Sequence, residues 1–139
     1  MSIIPSNSFI NFFRAIQLTR DIGVQWEHSN LGFALLGQAL ARRAGADYET
    51  LVHNRILAPL GIESMAIILS PELKSKLATG HYMALEAVSN WDVPTFAGAG
   101  SLHSIATDLL TFLEMVLRTR ETPLSPCLAQ RLPHVALPA

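Results

Sequence analysis

Three polar residues, His28, Ser29 and Asn30, stand directly before a long apolar run in this 139-residue chain. An imidazole gives or takes a proton near neutral pH, and a carboxamide both donates and accepts hydrogen bonds, so the triplet can serve acid–base chemistry and hold a polar substrate group. The plainer reading is structural: Ser29 or Asn30 as the N-cap of a helix, accepting from its first free amides. Other constellations fall away. His53, His81, His103 and His134 are more than twenty residues apart and form no ligand pair, so they read as surface or satisfied core residues. Cys127 is the single cysteine, which excludes an internal disulfide and leaves a buried or incidental thiol. Ser101 follows Ala99-Gly100 rather than the Gly-x of a nucleophile elbow, and Gly98-Ala-Gly100 lacks the third glycine of a dinucleotide loop. A hydrolase built on Ser29 with His28 is disfavoured, because adjacent side chains seldom face one another productively. No metal and no cofactor is implied.

The elements that must position the triplet are helices. Leu31, Phe33, Ala34, Leu35, Leu36, Ala39 and Leu40 predict a helix from about residue 30 to Gly45, apolar on every side for its first two turns, the pattern of a helix enclosed by its surroundings. Asp47 then caps a second helix over about 48–57, with Tyr48, Leu51, Val52 and Ile56 as its buried stripe and Pro59 with Gly61 as its end. The tight Gly45-Ala46 connection makes the two an αα-hairpin. Upstream, Phe9, Ile10, Phe12, Phe13 and Ile16 predict a short helix within residues 6–18, Asp21-Ile22-Gly23-Val24 a turn, and Trp26 an anchor for the triplet. From Ile62 to Val93 the pattern weakens: Met65 to Leu69 suits a short strand, Pro71 to Leu77 a turn of helix, and Gly80 to Asn90 a loop or hairpin. After the Gly98-Ala-Gly100 turn, Ser104 is expected to cap a helix over about 105–118. Ile105, Ala106, Leu109, Leu110, Phe112, Leu113, Val116 and Leu117 give it a broad apolar face, and Asp108 lies in its first turn. The tail after Thr122 is rich in proline.

Half of the residues are hydrophobic and only 15% are charged. An ordinary domain carries about 25% charged residues, so part of this apolar surface is expected to pack on a partner, either another subunit, through self-association or otherwise, or a missing portion of the same fold. The formal net charge of −1 offers no basic face for nucleic acid. No apolar run reaches the roughly 18 to 20 residues of a membrane span. The N-terminal MSIIPSNSF lacks the features of a signal peptide, so the chain as written is expected in the cytoplasm.

Two stretches carry a resemblance to a known family. His28-Ser29-Asn30 followed by Leu31 to Gly37 and, further on, Ala58-Pro59-Leu60-Gly61 is similar to the Tyr-Ser-Asn, LGFxLLGxxL and PLG pattern of the serine β-lactamase and penicillin-binding-protein superfamily. The branch concerned holds class C β-lactamases, D-alanyl carboxypeptidases and related esterases. Phe96-Ala-Gly-Ala-Gly-Ser-Leu-His-Ser-Ile-Ala-Thr-Asp-Leu109 resembles the AGG-L-x-S-T-A-x-D-L segment of the same branch. The likeness covers about residues 20–118. It implies a mainly α chain, the helical lobe of the β-lactamase/transpeptidase-like fold, forming a single partial domain over 1–139 with a tail from 119.

In that branch Asn30 corresponds to an asparagine that bonds the acyl side chain of the substrate and the catalytic lysine, and His28 stands where a tyrosine shuttles a proton. The resemblance therefore names His28 and Asn30 as catalytic positions and Asn30 as substrate-binding, against plain capping for Asn30 and decay for His28. The family nucleophile lies in Ser-x-x-Lys, and no serine of this sequence has a lysine three residues later. Nor is a Lys-Thr-Gly or His-Thr-Gly present; Ala78-Thr79-Gly80 lacks the cation. The expectation is a fragment of a hydrolase of β-lactams, D-Ala peptides or esters, inactive alone and cytoplasmic as written, although complete members are often periplasmic or secreted. The alternative is a small helical interaction module that binds a protein through an exposed apolar face.

Overall fold

The first helix, α1 (Asn30–Ala44), begins where Ser29 leaves the helical conformation at φ −141° and ψ 111° and its Oγ accepts from the Gly32 amide at 3.0 Å. It stops at Gly45, whose φ of +68° favours glycine, while the Gly45 and Ala46 amides close on the last carbonyls. Arg42 and Arg43 in the final turn oppose the negative end of the helix dipole. The computed structural model describes residues 11–131 other than 13, 18 and 91–93. Most of the helix expected within 6–18 lies outside that set; residues 11, 12, 14 and 15 are helical.

The second helix, α2, is continuous but changes pitch: Tyr48–Val52 is α-helical, His53–Leu57 is π-helical and Ala58–Leu60 returns to α. Asp47 caps it, accepting from the Thr50 amide at 2.9 Å and from the Thr50 hydroxyl at 2.6 Å. The wide turn, with Ala58 N–H reaching His53 O, immediately precedes Pro59, which has no amide to offer and whose ring crowds the preceding turn. Its consequence is a shifted stripe. Val52, Leu57 and Leu60 are the buried positions, joined by Ile62 and Met115, while Tyr48 and Ile56 pack at the margin. The extra residue in the π turn passes the inward position from Ile56 to Leu57, which a regular helical period does not show.

Segments outside the helices are tied down by polar side chains. Glu49 Oε1 accepts from the Ile67 and Ile68 amides at 2.7 and 3.0 Å, and Asp108 Oδ2 from the Ser64 amide at 3.0 Å. The strand expected over Met65 to Leu69 is a single antiparallel bridge, Ala66 with His103, because these side chains take the neighbouring amides instead. A short helix, α3 (Pro71–Ser75), is capped by Ser70, and β1 (Gly80–His81) pairs antiparallel with β2 (Ala87–Val88), Gly80 opposite Val88.

The segment Pro94–Ala99 forms a 3-10 turn that lies across α1. Gly37 and Gly98 meet there: a Cβ on Gly98 would stand 2.6 Å from Phe33 O, and one on Gly37 would stand 3.0 Å from Gly98 Cα. Gln38 adds a hydrogen bond from Nε2 to Thr95 O at 3.3 Å. The last helices are α4 (Ala106–Val116) and α5 (Ser125–Arg131).

Four expectations are corrected. Trp26 does not anchor the triplet; it is 86% exposed. Ser104 does not cap α4: Ile105 occupies the cap position without a side-chain bond, and the Ser104 hydroxyl turns to Ile105 O. Helix α1 is not enclosed, since Ala34, Gly37 and Ala41 face inward while Phe33 and Leu36 stay about half exposed. Helix α4 buries only Met115 of its apolar residues and leaves Leu109, Leu110 and Leu113 open.

Candidate functional site

The N-terminus of α1 gathers the triplet by simple local rules. Ser29 takes the capping role, so Asn30 becomes the first helical residue and its carboxamide is released from capping. The ring of His28, two residues earlier, turns so that Nε2 lies 2.9 Å from Asn30 Oδ1. Its ring rests against Phe33, centroids 5.5 Å apart and planes tilted by 34°. The two candidate residues named from sequence are thus in direct contact, and both are exposed.

That geometry fixes what the pair can do. With the proton on Nε2, His28 donates to Asn30 Oδ1, its Nδ1 keeps the lone pair that can accept a proton, and the Asn30 amide nitrogen stays free to donate to a carbonyl. Beside the pair, Arg20 forms an ion pair with Glu27, which neutralises both charges next to the triplet. A long apolar helix begins directly behind it.

The remaining sequence candidates do not converge. His53 is exposed with Nδ1 at 3.0 Å from Asn54 Oδ1, His81 is exposed on β1, and His134 lies outside the described residues. His103 departs from the satisfied-core reading: its Nδ1 is buried and has no hydrogen-bond partner, because the bridge to Ala66 uses the His103 backbone and leaves the ring unserved. Cys127 is exposed, so its thiol is not buried. Among the described residues no group of three His, Cys, Asp or Glu side chains could hold a metal ion. No helix among them is long and apolar enough to cross a membrane.

An apolar cleft of about 290 Å³ lies between α2 and the start of α4, lined by Tyr48, Val52, Ile56, Leu57, Leu109 and Phe112 among others. The sequence reading missed it, since it depends on the π turn and on the packing of α4. Elsewhere Asp47 is held below the usual carboxylate range, first by the Thr50 hydroxyl and then by the Thr50 amide. Glu72 is lowered by the hydrogen bond and charge of Lys76, one turn away.

A family model described as Beta-lactamase matches residues 5–135. The putative beta-lactamase-like 1 of Homo sapiens is 31% identical over 101 residues, covering 72% of this chain and 20% of that protein. The D-alanyl-D-alanine-carboxypeptidase/endopeptidase AmpH of Escherichia coli K12 is 31% identical over 97 residues, covering 68% of this chain and 24% of that protein. Among solved structures, a beta-lactamase/D-alanine carboxypeptidase from Pseudomonas syringae superposes with a TM-score of 0.81 at 22% identity, over 91% of this chain and 36% of that one. The chain thus spans between 14% and 24% of the length of the curated relatives it matches, and about a third of the solved ones.

Proposed function

Because the chain belongs to the beta-lactamase family, with the β-lactamase/transpeptidase-like fold in a mainly helical form, we propose that it is the helical part of a serine hydrolase, inactive by itself. Its contribution to such a site is the pair His28 and Asn30. The observation that carries the reading is their contact at 2.9 Å on the exposed end of α1, with Ser29 spent on capping. Asn30 is the substrate-holding residue, its amide nitrogen directed to the acyl carbonyl of a β-lactam, D-Ala peptide or ester. His28 stands at the proton-transfer position as a decayed replacement for the family's tyrosine. Without Ser-x-x-Lys in the sequence, neither has a nucleophile to serve. The chain acts as a single partial domain, family-like over about 20–118, with its proline-rich end from 119 outside the site.

The test is covalent labelling. Loss of a serine nucleophile costs on the order of 10⁶ in turnover in a comparable hydrolase, so neither a fluorescent penicillin nor a fluorophosphonate is expected to label the purified chain. A stoichiometric adduct that survives denaturation and maps to any serine would refute the reading. A second reading, a helical module that binds a protein partner, is favoured by one observation: the apolar residues of α4 left open to solvent. Such a module would keep its binding unchanged in His28→Ala and Asn30→Ala.

A further inference from the structure

Two recesses of opposite character adjoin on one flank of α2. The cleft of about 290 Å³ between α2 and the start of α4 is walled by apolar side chains apart from the Tyr48 and Ser104 hydroxyls. Leu57, Met65 and Leu102 also line a second recess, of about 490 Å³, so the two meet along these three side chains. The second recess is acidic: Asp47, Glu49 and Glu63 line it, and no lysine or arginine does. Its other polar walls are Thr50 and the exposed His53.

Local bonding keeps these carboxylates charged and accessible. The Thr50 hydroxyl and amide hold Asp47 in its ionised form. Glu49 spends Oε1 on the Ile67 and Ile68 amides and keeps Oε2 to offer, and Glu63 is exposed. Among the described residues no lysine or arginine forms an ion pair with any of the three; Arg42 lines a separate recess that shares Asp47 and Glu49. Charges of one sign gathered at a concave rim attract a cation. An inorganic one is not suited, because no group of three acidic, histidine or cysteine side chains among the described residues could hold a metal ion. The π turn adds to the argument. It brings Ile56 and Leu57, neighbours in sequence, onto the same cleft, and such turns recur where helices line binding sites.

The geometry points to a binding site for a small amphipathic ammonium ion, its hydrocarbon body in the cleft between α2 and α4 and its charged nitrogen beside Asp47, Glu49 and Glu63. Size selects a free small molecule over the lysine side chain of a partner protein. A cleft of 290 Å³ has room for about ten groups the size of a water or a methylene, and a lysine stem of four carbons would leave more than half of it empty. The site shares no residue with the His28 and Asn30 pair, so it stands or falls independently of the function proposed for that pair.

The experiment titrates the full chain by calorimetry with three probes of one chain length: octylammonium, 1-octanol and octanoate. Saturable 1:1 binding of octylammonium is expected, about tenfold tighter than 1-octanol because a charge-assisted bond is added, with octanoate weaker than both. Raising the salt should weaken octylammonium and leave 1-octanol unchanged. The double variant Asp47→Asn and Glu63→Gln, in which asparagine still caps α2, should bring octylammonium down to the affinity of the alcohol. Glu63→Gln alone, at an exposed position, should lower the preference by about threefold, which keeps the charge argument testable if the double variant loses its helical circular dichroism. Leu109→Trp fills the cleft from a side chain that is 54% exposed and should abolish binding of all three probes. Equal affinities for the three probes, uptake that does not saturate, or octylammonium binding that survives Leu109→Trp would each place the hydrocarbon elsewhere and overturn the inference.

Discussion

Replacing Gly98 by alanine tests the packing that holds α1, and hence the His28 and Asn30 pair, in place. The new Cβ would stand 2.6 Å from Phe33 O and 3.1 Å from Gly37 Cα, both backbone atoms that no rotamer change can move. Relief to ordinary contact near 3.5 Å requires α1 and the 3-10 segment to part by about 0.9 Å. That displacement also stretches the 3.3 Å bond from Gln38 to Thr95 O. Overpacking of this kind costs about 1 to 3 kcal/mol, and because both sides of the clash are backbone the expected value is at the top, about 3 kcal/mol. For a chain of this size that corresponds to a melting temperature lower by roughly 10 °C. The assay is urea unfolding followed at 222 nm, with Gly32→Ala as the comparison. A Cβ at Gly32 meets only Ser29 side-chain atoms at 3.4 and 3.5 Å, so this change is expected to be neutral or to stabilise by up to about 1 kcal/mol through helix propensity. Equal midpoints for Gly98→Ala and wild type would refute the crossing of α1 by the 3-10 segment.

Glu49→Ala leaves the Ile67 and Ile68 amides without their acceptor, an expected loss of about 1 to 3 kcal/mol; Glu49→Gln keeps an acceptor oxygen and should lose less, and equal losses would count against the two bonds. Asp47 has its folded pKa depressed by Thr50, so its stabilising effect is present above the ordinary carboxylate value and is lost as pH falls through the folded one. The melting difference between wild type and Asp47→Ala should therefore shrink as pH drops below about 4, and a difference that persists to pH 2 would contradict the cap. In a complete relative carrying this helical part, His28→Tyr is expected to raise turnover by the roughly 10² to 10⁴ of a positioned acid–base group; equal turnover with histidine and tyrosine would show His28 to be a working substitute.

What the sequence determined by itself is local. The α1 start at Ser29 or Asn30, its glycine stop, the Asp47 cap and the Gly61 end follow from interactions between residues a few positions apart, and each was legible before the fold was known, the structure choosing Ser29 as the cap. The family resemblance was legible for the same reason, since its two motifs are short continuous stretches. Contact of His28 with Asn30 needed only the helix start between them. Where tertiary structure decided, partners were distant in the chain. Gly98 is required by Phe33 O and Gly37, Asp108 serves Ser64 as well as its own helix, and Met65 to Leu69 yields to Glu49 instead of forming a strand. The inward position on α2 passed from Ile56 to Leu57 because Pro59 sits behind a π turn, a change of pitch that hydrophobic periodicity cannot register. Periodicity likewise identified α1 and α4 as apolar, but exposure depends on what surrounds a helix rather than on its own residues. Only the assembled fold showed that their large side chains remain open to solvent.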